Sequence, residues 1–439
     1  MNLHRLLQER AAASRPLRVG LIGAGKFGSM YLSQARRTPG IRLTAVADLN
    51  AARARESLRR VGWSDSELAG VQFFERGEAL IENRAVDIVI DATGSATAGV
   101  THVLACCEHR KHVVMVNVEA DALAGPLLAK KARAAGIVYS LAYGDQPALV
   151  CELVDWARTC GFDVMAAGKG TRHLPEYHAS TPGTVWQHYG ISPEDARAGG
   201  LNAQMFNSFV DGSKSAIEMC AVSNATGLVA PDGLGFPPCG VDGLARLMRP
   251  RADGGVLAHR GQVEVISSLE RDGRSVARDL RWGVYVTFAG NSAYVEHCFK
   301  EYGLVSDSES KVAAMYKPFH LIGLELGISV ASVGLRNEPT GAPLAFNADV
   351  VATAKRDLLA GEVLDGEGGY MVYGKLAPVA ESLRTVALPL GLANQSRLRN
   401  PVAAGAPVRW VDVEIDETSL AVRVRREMEA TLVGAEGAP

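Results

Sequence analysis

Five short apolar runs, "RVGLI", "RLTAVAD", "VDIVIDAT", "HVVMVNV" and "GIVYSLA", lie between Arg18 and Tyr143. Helical stretches separate them: "FGSMYLSQARRT", "AARARESLRRVG", "TAGVTHVLACCEHR" and "GPLLAKKARAAG". Strands that are apolar on both faces must be covered on both faces, and alternation with helices supplies the cover. This spacing predicts an α/β chain whose first 150 residues form a Rossmann-type, doubly wound parallel sheet.

The first of these strands runs directly into a glycine pattern. In "RVGLIGAGKFG", Gly23, Gly25 and Gly28 stand in G-x-G-x-x-G spacing before a helical stretch, with Lys26 and Phe27 inside the turn. The first glycine permits the tight turn, the second lets amides approach a pyrophosphate, and the third lets helix and strand pack closely. Asp48 ends the second strand 20 positions after Gly28, where an acidic side chain meets a ribose 2′-hydroxyl. Asn50, Arg53 and Arg55 follow, and an arginine there suits a 2′-phosphate, so the expected cofactor is NADH or NADPH. Thr93 and Gly94 in "DATGSATAG" follow another strand and are expected beside the ribose or nicotinamide. Asn117, Glu119, Asp145 and Gln146 end later strands on the same edge; each would face the reacting carbons or cap its loop.

After "YGDQP" the pattern changes. Residues 151–340 mix a helix ("ALVCELVDWARTCG"), a Gly/His/Pro-rich stretch and a strand-like "WGVYVTFAG", which reads as an α+β catalytic domain. Pro, Gly and Asn cluster in "LRNEPTGAPLAFN" and mark a boundary. Residues 345–425 read as a small β domain of short strands with Gly and Asp turns, and the closing "GAEGAP" as a frayed end. With 46 Lys+Arg against 48 Asp+Glu and no basic stripe, a nucleic-acid partner is not expected. The seven scattered cysteines, with no C-x-x-C, suit small buried thiols in a reducing compartment. No apolar run reaches the roughly 20 residues of a membrane helix. The expectation is a cytoplasmic homo-oligomer, dimer or tetramer, acting on a small molecule.

The stretch "FNSFVDGSKSAIEMCAVSNATG" has the apolar spacing of a buried helix from Phe206 to Gly227, yet Asp211, Lys214 and Glu218 are threaded through it. Burying an unpaired charge costs several kcal/mol or shifts its pKa, so such charges invite a functional reading. The alternative is an ordinary i to i+4 pair, Lys214 with Glu218. "AGKGTRHLPEYHAST" offers Lys169, Thr171, His173, Glu176, His178 and Ser180 beside glycines, which reads as a phosphate-binding loop or as a solvated turn. Lys317, just before Pro318, is expected at the N-terminal end of a helix and able to hold an anion there, while His320 reads as half-buried.

"RVGLIGAGKFGSMYL", "VNVEADALAGPLL", "AGKGTRHLPEYHASTPGTVW", "FNSFVDGSKSAIEM" and "YKPFHLIGLELGISV" together resemble the 1-deoxyxylulose 5-phosphate reductoisomerase-like proteins. These are homoserine-dehydrogenase-like oxidoreductases with a C-terminal antifreeze-like (SAF) domain, and "AKRDLLAGEVLDGEGG" is similar to the opening of such a domain. The resemblance implies a β-clip tail and an NAD(P)H-dependent reaction on a small, phosphorylated, polyol-type carbonyl. Reductoisomerisation of 1-deoxyxylulose 5-phosphate to methylerythritol phosphate, a step of isoprenoid biosynthesis, is the specific case. Under it Lys214, Lys169 and Glu218 are the catalytic candidates, and Thr171, Ser180, Ser213 and Lys317 the substrate-binding ones. Mg²⁺ or Mn²⁺ serves the known reductoisomerases, but their "S-E-H" motif is absent. Glu176, Asp211 and Glu218 are the available oxygen ligands, and the metal site stays unassigned. The rival readings are a homoserine-dehydrogenase-like alcohol dehydrogenase and a non-catalytic nucleotide- or carbohydrate-sensing protein.

Overall fold

The computed structural model describes residues 2–198 and 200–433; the "GAEGAP" end lies outside them. The chain forms two compact units. The first takes the residues up to Cys151, returns with His320–Leu344, and takes those from Val424 on. The second is built from Glu152–Phe319 and Ala345–Arg423.

In the first unit, β1 (Leu17–Ile22), β2 (Ile41–Ala47), β3 (Gln72–Phe74), β4 (Ile88–Asp91), β5 (His112–Met115) and β6 (Tyr139–Leu141) form a parallel sheet in the order β3-β2-β1-β4-β5-β6. The apolar runs named above become five of these strands. The edge strand β3 is the exception, because three residues are too few to show a pattern. Val19, Leu21, Ile88, Ile90 and Val114 are buried in one core. Leu3 and Leu7 of the helix Leu3–Ala12 join that core, as do Val330, Ala331 and Val333 of the helix Gly327–Arg336. A Cβ on Gly334 would lie 2.6 Å from Leu17 and 2.9 Å from Ile88, so this returning helix packs at glycine distance. Strand order reverses between β1 and β4, which places the glycine turn and the Asp91–Ser95 loop at the switch point of the sheet.

The second unit holds a mixed sheet of β7 (Asp163–Thr171), β8 (Gln262–Ser267), β9 (Val284–Ala289), β10 (Val305–Ser306) and β11 (Val312–Lys317), ordered β10-β11-β9-β7-β8. Lys169 and its two flanking glycines therefore belong to an inner strand, not to a flexible loop. The glycines serve close packing: a Cβ on Gly168 would stand 1.8 Å from the Glu264 carbonyl oxygen, and one on Gly170 1.9 Å from that of Leu280. Lys317 is also corrected, since it ends β11 and does not open a helix. Pro318 has no N–H to give the sheet and stops the strand, and the next helix begins only at Gly327.

The expected single helix from Phe206 is two helices, Ala203–Val210 and Ser213–Thr226. Gly212 between them has φ +90°, and Asp211 Oδ1 accepts from the Ser213 amide at 2.9 Å, so the break starts the second helix. That helix is buried along its length except at Lys214 and Thr226. Two small antiparallel pairs complete the unit, β12 (Ala348–Ala354) with β13 (Val372–Pro378) and β14 (Arg397–Leu398) with β15 (Val413–Glu414). The first pair is tied to the buried helix: Asn224 Oδ1 accepts from the amides of Asn347 and Ala348, and the Gly374 amide donates to Ser213 Oγ at 2.8 Å. Among the described residues no helix is long and apolar enough to cross a membrane.

Backbone oxygens cannot retreat as a side chain can. Gly168→Ala is therefore expected to destabilise the second unit by at least about 3 kcal/mol, read as a lower urea midpoint. An unchanged midpoint would mean that β7 and β8 do not pack as described.

Candidate functional site

The glycine turn is shaped for a pyrophosphate. Gly23 has φ +93°, and a Cβ there would lie 2.7 Å from the Ala92 carbonyl oxygen; one on Gly28 would lie 2.2 Å from that of Gly23. Gly25 has nothing within 4 Å of its Cβ position, so the turn opens at this point. Gly25 caps the helix Lys26–Ala35, whose first-turn amides include those of Lys26, Phe27 and Gly28. Lys26 is exposed, and Phe27 packs half-buried against the core. Asp48 follows β2 and reaches this turn with one carboxylate oxygen: Oδ2 accepts from the Ala24 amide, while Oδ1 accepts from the Asn50 amide at the next helix start, each at 3.0 Å. The exposed Arg53 guanidinium stands 3.6 Å from Oδ1. Open space at Gly25, a helix N-terminus behind it and a carboxylate at the end of β2 fit a dinucleotide.

Beyond β4, Asp91 organises the neighbouring loop. Its Oδ1 accepts from the Thr93 amide and hydroxyl at 2.9 and 2.7 Å, and its Oδ2 meets His102 Nδ1 at 2.9 Å. Asn117 is fully buried, caps the helix Val118–Ala134, and donates to Thr93 Oγ1 and the Ser95 carbonyl. Asn117 thus ties together the loops that follow β4 and β5. Thr93 and Gly94 stay exposed, and Glu119 is half-buried one position into the helix.

In the second unit the buried charges are paired. Lys169 on β7 meets Glu218 on the helix Ser213–Thr226, and both side chains are almost fully buried. Strand register adds Lys317: Lys169 and Lys317 both stand opposite Val284, one on each side of β9. Directly opposed residues share a sheet face, so both lysines, and Thr171 two residues after Lys169, project toward the side that the helix covers. Lys214 is half-buried on that same helix.

A second buried pair was not foreseen. Lys355 follows β12, and its ammonium bonds to Asp211 Oδ2 at 2.8 Å and to the carbonyls of Ser180 and Gly369 at 2.7 and 2.6 Å. The Lys355 side chain is 2% exposed and that of Asp211 0%. Nothing near Lys355 in the sequence marks it, because its partner is 144 residues away. Ser180 Oγ donates to Asn207 Oδ1, and Ser213 Oγ receives the Gly374 amide, so both hydroxyls hold the scaffold of this region. Asp211 and Glu218 are thus each occupied by an ammonium group, and among the described residues no three His, Cys, Asp or Glu side chains gather to hold a metal. The residues present do not fit a Mg²⁺ or Mn²⁺ site.

The segment after β7 brings His173 and His178 together, with ring centroids 4.7 Å apart. Each Nδ1–H donates to a carbonyl at the break between the two helices, His173 to Val210 at 3.2 Å and His178 to Asp211 at 2.8 Å. Burial pulls the His173 pKa down to about 3 and lowers that of His178, so both rings are neutral near pH 7. Glu176, between them, is exposed. Burial has the opposite effect on Glu264 of β8, whose carboxyl is pushed up to about 7, and on Asp121, also raised to about 7.

Comparison with known proteins places these features. Residues 17–115 match the family model described as "Oxidoreductase family, NAD-binding Rossmann fold", of the GFO/IDH/MocA type. Residues 144–326 match "Oxidoreductase DRL, catalytic domain". The first of these matches agrees with an NAD(P)-binding Rossmann domain built on the glycine turn. It is 35% identical over 109 residues to the inositol 2-dehydrogenase of Rubrobacter xylanophilus, a match covering 25% of this chain and 29% of the length of that relative. Solved structures similar to it include an NAD binding oxidoreductase from Klebsiella pneumoniae, 20% identical with TM-score 0.29 over 38% of this chain and 47% of the other. Another is the WlbA dehydrogenase of a Chromobacterium violaceum complex with NADH and UDP-GlcNAcA, 19% identical with TM-score 0.28 over 38% and 48%.

These matches overturn the resemblance to reductoisomerase-like, homoserine-dehydrogenase-like proteins with a SAF tail. The glycine turn is shared by Rossmann oxidoreductases at large. The part of the middle motif that holds Lys169 and Thr171 is an inner strand packed at glycine distance. Isoprenoid chemistry and a SAF domain find no support in the matched families.

The buried Glu264 gives a signed pH test. A carboxyl raised from 4.5 to about 7 stabilises the folded state fully below pH 4.5, and this contribution is lost as pH rises through 7. Glu264→Gln should flatten the fall in urea stability between about pH 5 and pH 8, recovering up to about 3 kcal/mol at the upper end. The same fall in wild type and variant would place the slope elsewhere, Asp121 being the first alternative.

Proposed function

We propose that this chain oxidises a secondary alcohol of a sugar or cyclic polyol to the ketone, and reduces the ketone in reverse, with NAD(P). The observation that carries the reading is the likeness to inositol 2-dehydrogenase in a chain whose glycine turn and Asp48 fit a dinucleotide. Asp48 favours NAD, because a carboxylate at the ribose accepts from a 2′-hydroxyl and repels a 2′-phosphate. The nicotinamide, when bound, gives or takes the hydride.

What the chain itself must do is move a proton, since an alcohol becomes a carbonyl only if its hydroxyl proton also leaves. Lys169 and Glu218 are assigned that task. Lys169 takes the hydroxyl proton while passing one of its own to Glu218, and its charge meets the oxygen as that oxygen becomes anionic. Reduction runs the same transfers backward. Lys214, one turn before Glu218 on the same helix, is assigned to orient the reacting oxygen. Thr171 and Lys317, on the same sheet face as Lys169, are assigned to substrate hydroxyls. Asn117 and Glu119 are assigned to the cofactor side with Thr93 and Gly94. The neutralisation of Lys169 and Lys355 by carboxylates suits uncharged hydroxyls better than a phosphate dianion.

Incubation of the purified chain with NAD⁺ or NADP⁺ and a panel of myo-inositol, scyllo-inositol, D-glucose and D-xylose should show reduced cofactor with at least one member. Glu218→Gln should lower kcat by about 10²–10⁴-fold while the affinity for NAD⁺ stays within a few-fold. Cofactor binding without turnover of any ring polyol, or full activity in Glu218→Gln, would contradict the proposal. In a separate measurement, Asp48→Ala should weaken NADH binding more than NADPH binding. Equal losses would mean that Asp48 serves only the Ala24 amide.

A further inference from the structure

We propose that His178 is a specificity-determining residue, its Nε2 accepting a hydrogen bond from a substrate hydroxyl remote from the reacting carbon. This inference rests on the polyol reading above and names a further contact for it.

The ring is held on every side but one. Nδ1–H donates to the Asp211 carbonyl at 2.8 Å, which leaves Nε2 as the acceptor. Tyr373 of β13 stacks on one face with centroids 4.7 Å apart and an interplanar angle of 29°, and His173 packs nearby. His173 is itself stacked on Phe236 at 3.8 Å. The backbone makes room as well: a Cβ at Gly212 would lie 3.1 Å from His178 Cε1. No hydrogen bond reaches His178 Nε2 from any described residue, although the side chain is only half-buried.

The two unpaired ring nitrogens differ. That of His173 is sealed, with no partner and no access, which makes this ring a support for its neighbour. That of His178 has access and asks for a donor. The surroundings select a neutral one, because Asp211 and Lys355 cancel each other and neither ring carries charge near pH 7. An alcohol hydroxyl is such a donor, whereas phosphate and carboxylate bring only acceptors.

Position links this contact to the proton-moving pair. Asp211, whose carbonyl fixes His178, lies at the break that opens the helix Ser213–Thr226, and Glu218 stands in the second turn of that helix. His178 therefore reads a hydroxyl on a ring carbon other than the one that loses hydride.

The test crosses a protein variant with missing hydroxyls. His178→Asn keeps an amide to donate to the Asp211 carbonyl and loses the acceptor at Nε2. Steady-state kinetics with NAD⁺ would use the ring polyol of the panel that turns over fastest and its monodeoxy isomers. Wild type should lose about 5–10-fold in KM with one deoxy isomer. The variant should lose the same factor with the parent polyol and nothing further with that isomer, with kcat within about threefold and NAD⁺ affinity unchanged. His178→Gln, which returns an acceptor oxygen, should recover part of the loss.

Equal losses for every isomer in His178→Asn, or a fall in kcat at constant KM, would overturn the assignment and leave the polyol reading in place. So would a loss with the parent alone that Gln does not repair, the result expected if only water sits on Nε2. No turnover of any polyol by the wild type would overturn both.

Discussion

Two ammonium groups with almost no access to water shape the second unit. Lys169 and Lys355 each lie beside a carboxylate that is equally buried, Glu218 and Asp211. Taking such charges from water costs several kcal/mol per ion, and an apolar pair of equal volume would often serve stability as well or better. Removing one partner alone would leave a charge stranded, at a cost of about 3–5 kcal/mol. The two pairs fix where β7, the helix Ser213–Thr226 and the segment after β12 stand relative to one another. The Lys355–Asp211 pair lies at the break between the two helices, and the carbonyls of Val210 and Asp211 there set the tautomers of two histidines.

Much of the first unit could be read from the residues. Strands buried on both faces announce themselves as unbroken apolar runs, and Gly23 and Gly28 answer local steric demands that only glycine meets. The edge strand Gln72–Phe74 escaped because its three residues carry no period. The second unit was harder for a physical reason, which is that its decisive contacts are distant in the chain. Glu218 has a lysine at i−4, yet its carboxylate is held by Lys169, 49 positions away. Asp211 is answered by Lys355 at 144 positions, from a segment that reads as a tail. Apolar density around Asp211 and Glu218 correctly signalled that their charges need partners, but could not say which.

Glycine misled in one place for an instructive reason. Beside Lys169 it reads in the sequence as flexibility suited to a phosphate, whereas Gly168 and Gly170 lie in a strand where carbonyl oxygens approach within 2 Å of a notional Cβ. The same residue type marks a mobile turn or the tightest packing in a sheet, and the sequence around it does not separate the two. The lysines at the centre of the second unit are paired with carboxylates and the two imidazoles beside them are uncharged near pH 7, which is the setting of the polyol proposal.

Hydride transfer from a carbinol carbon of a ring polyol is the central claim, and isotope transfer tests it most directly. The chain would be incubated with NAD⁺ or NADP⁺ and with myo-inositol or D-glucose bearing deuterium on every ring carbon. The reduced cofactor would then be weighed by mass spectrometry. One deuterium on the nicotinamide ring and a matching ketone are expected. Cofactor that binds and remains oxidised, or that is reduced without deuterium, would contradict it.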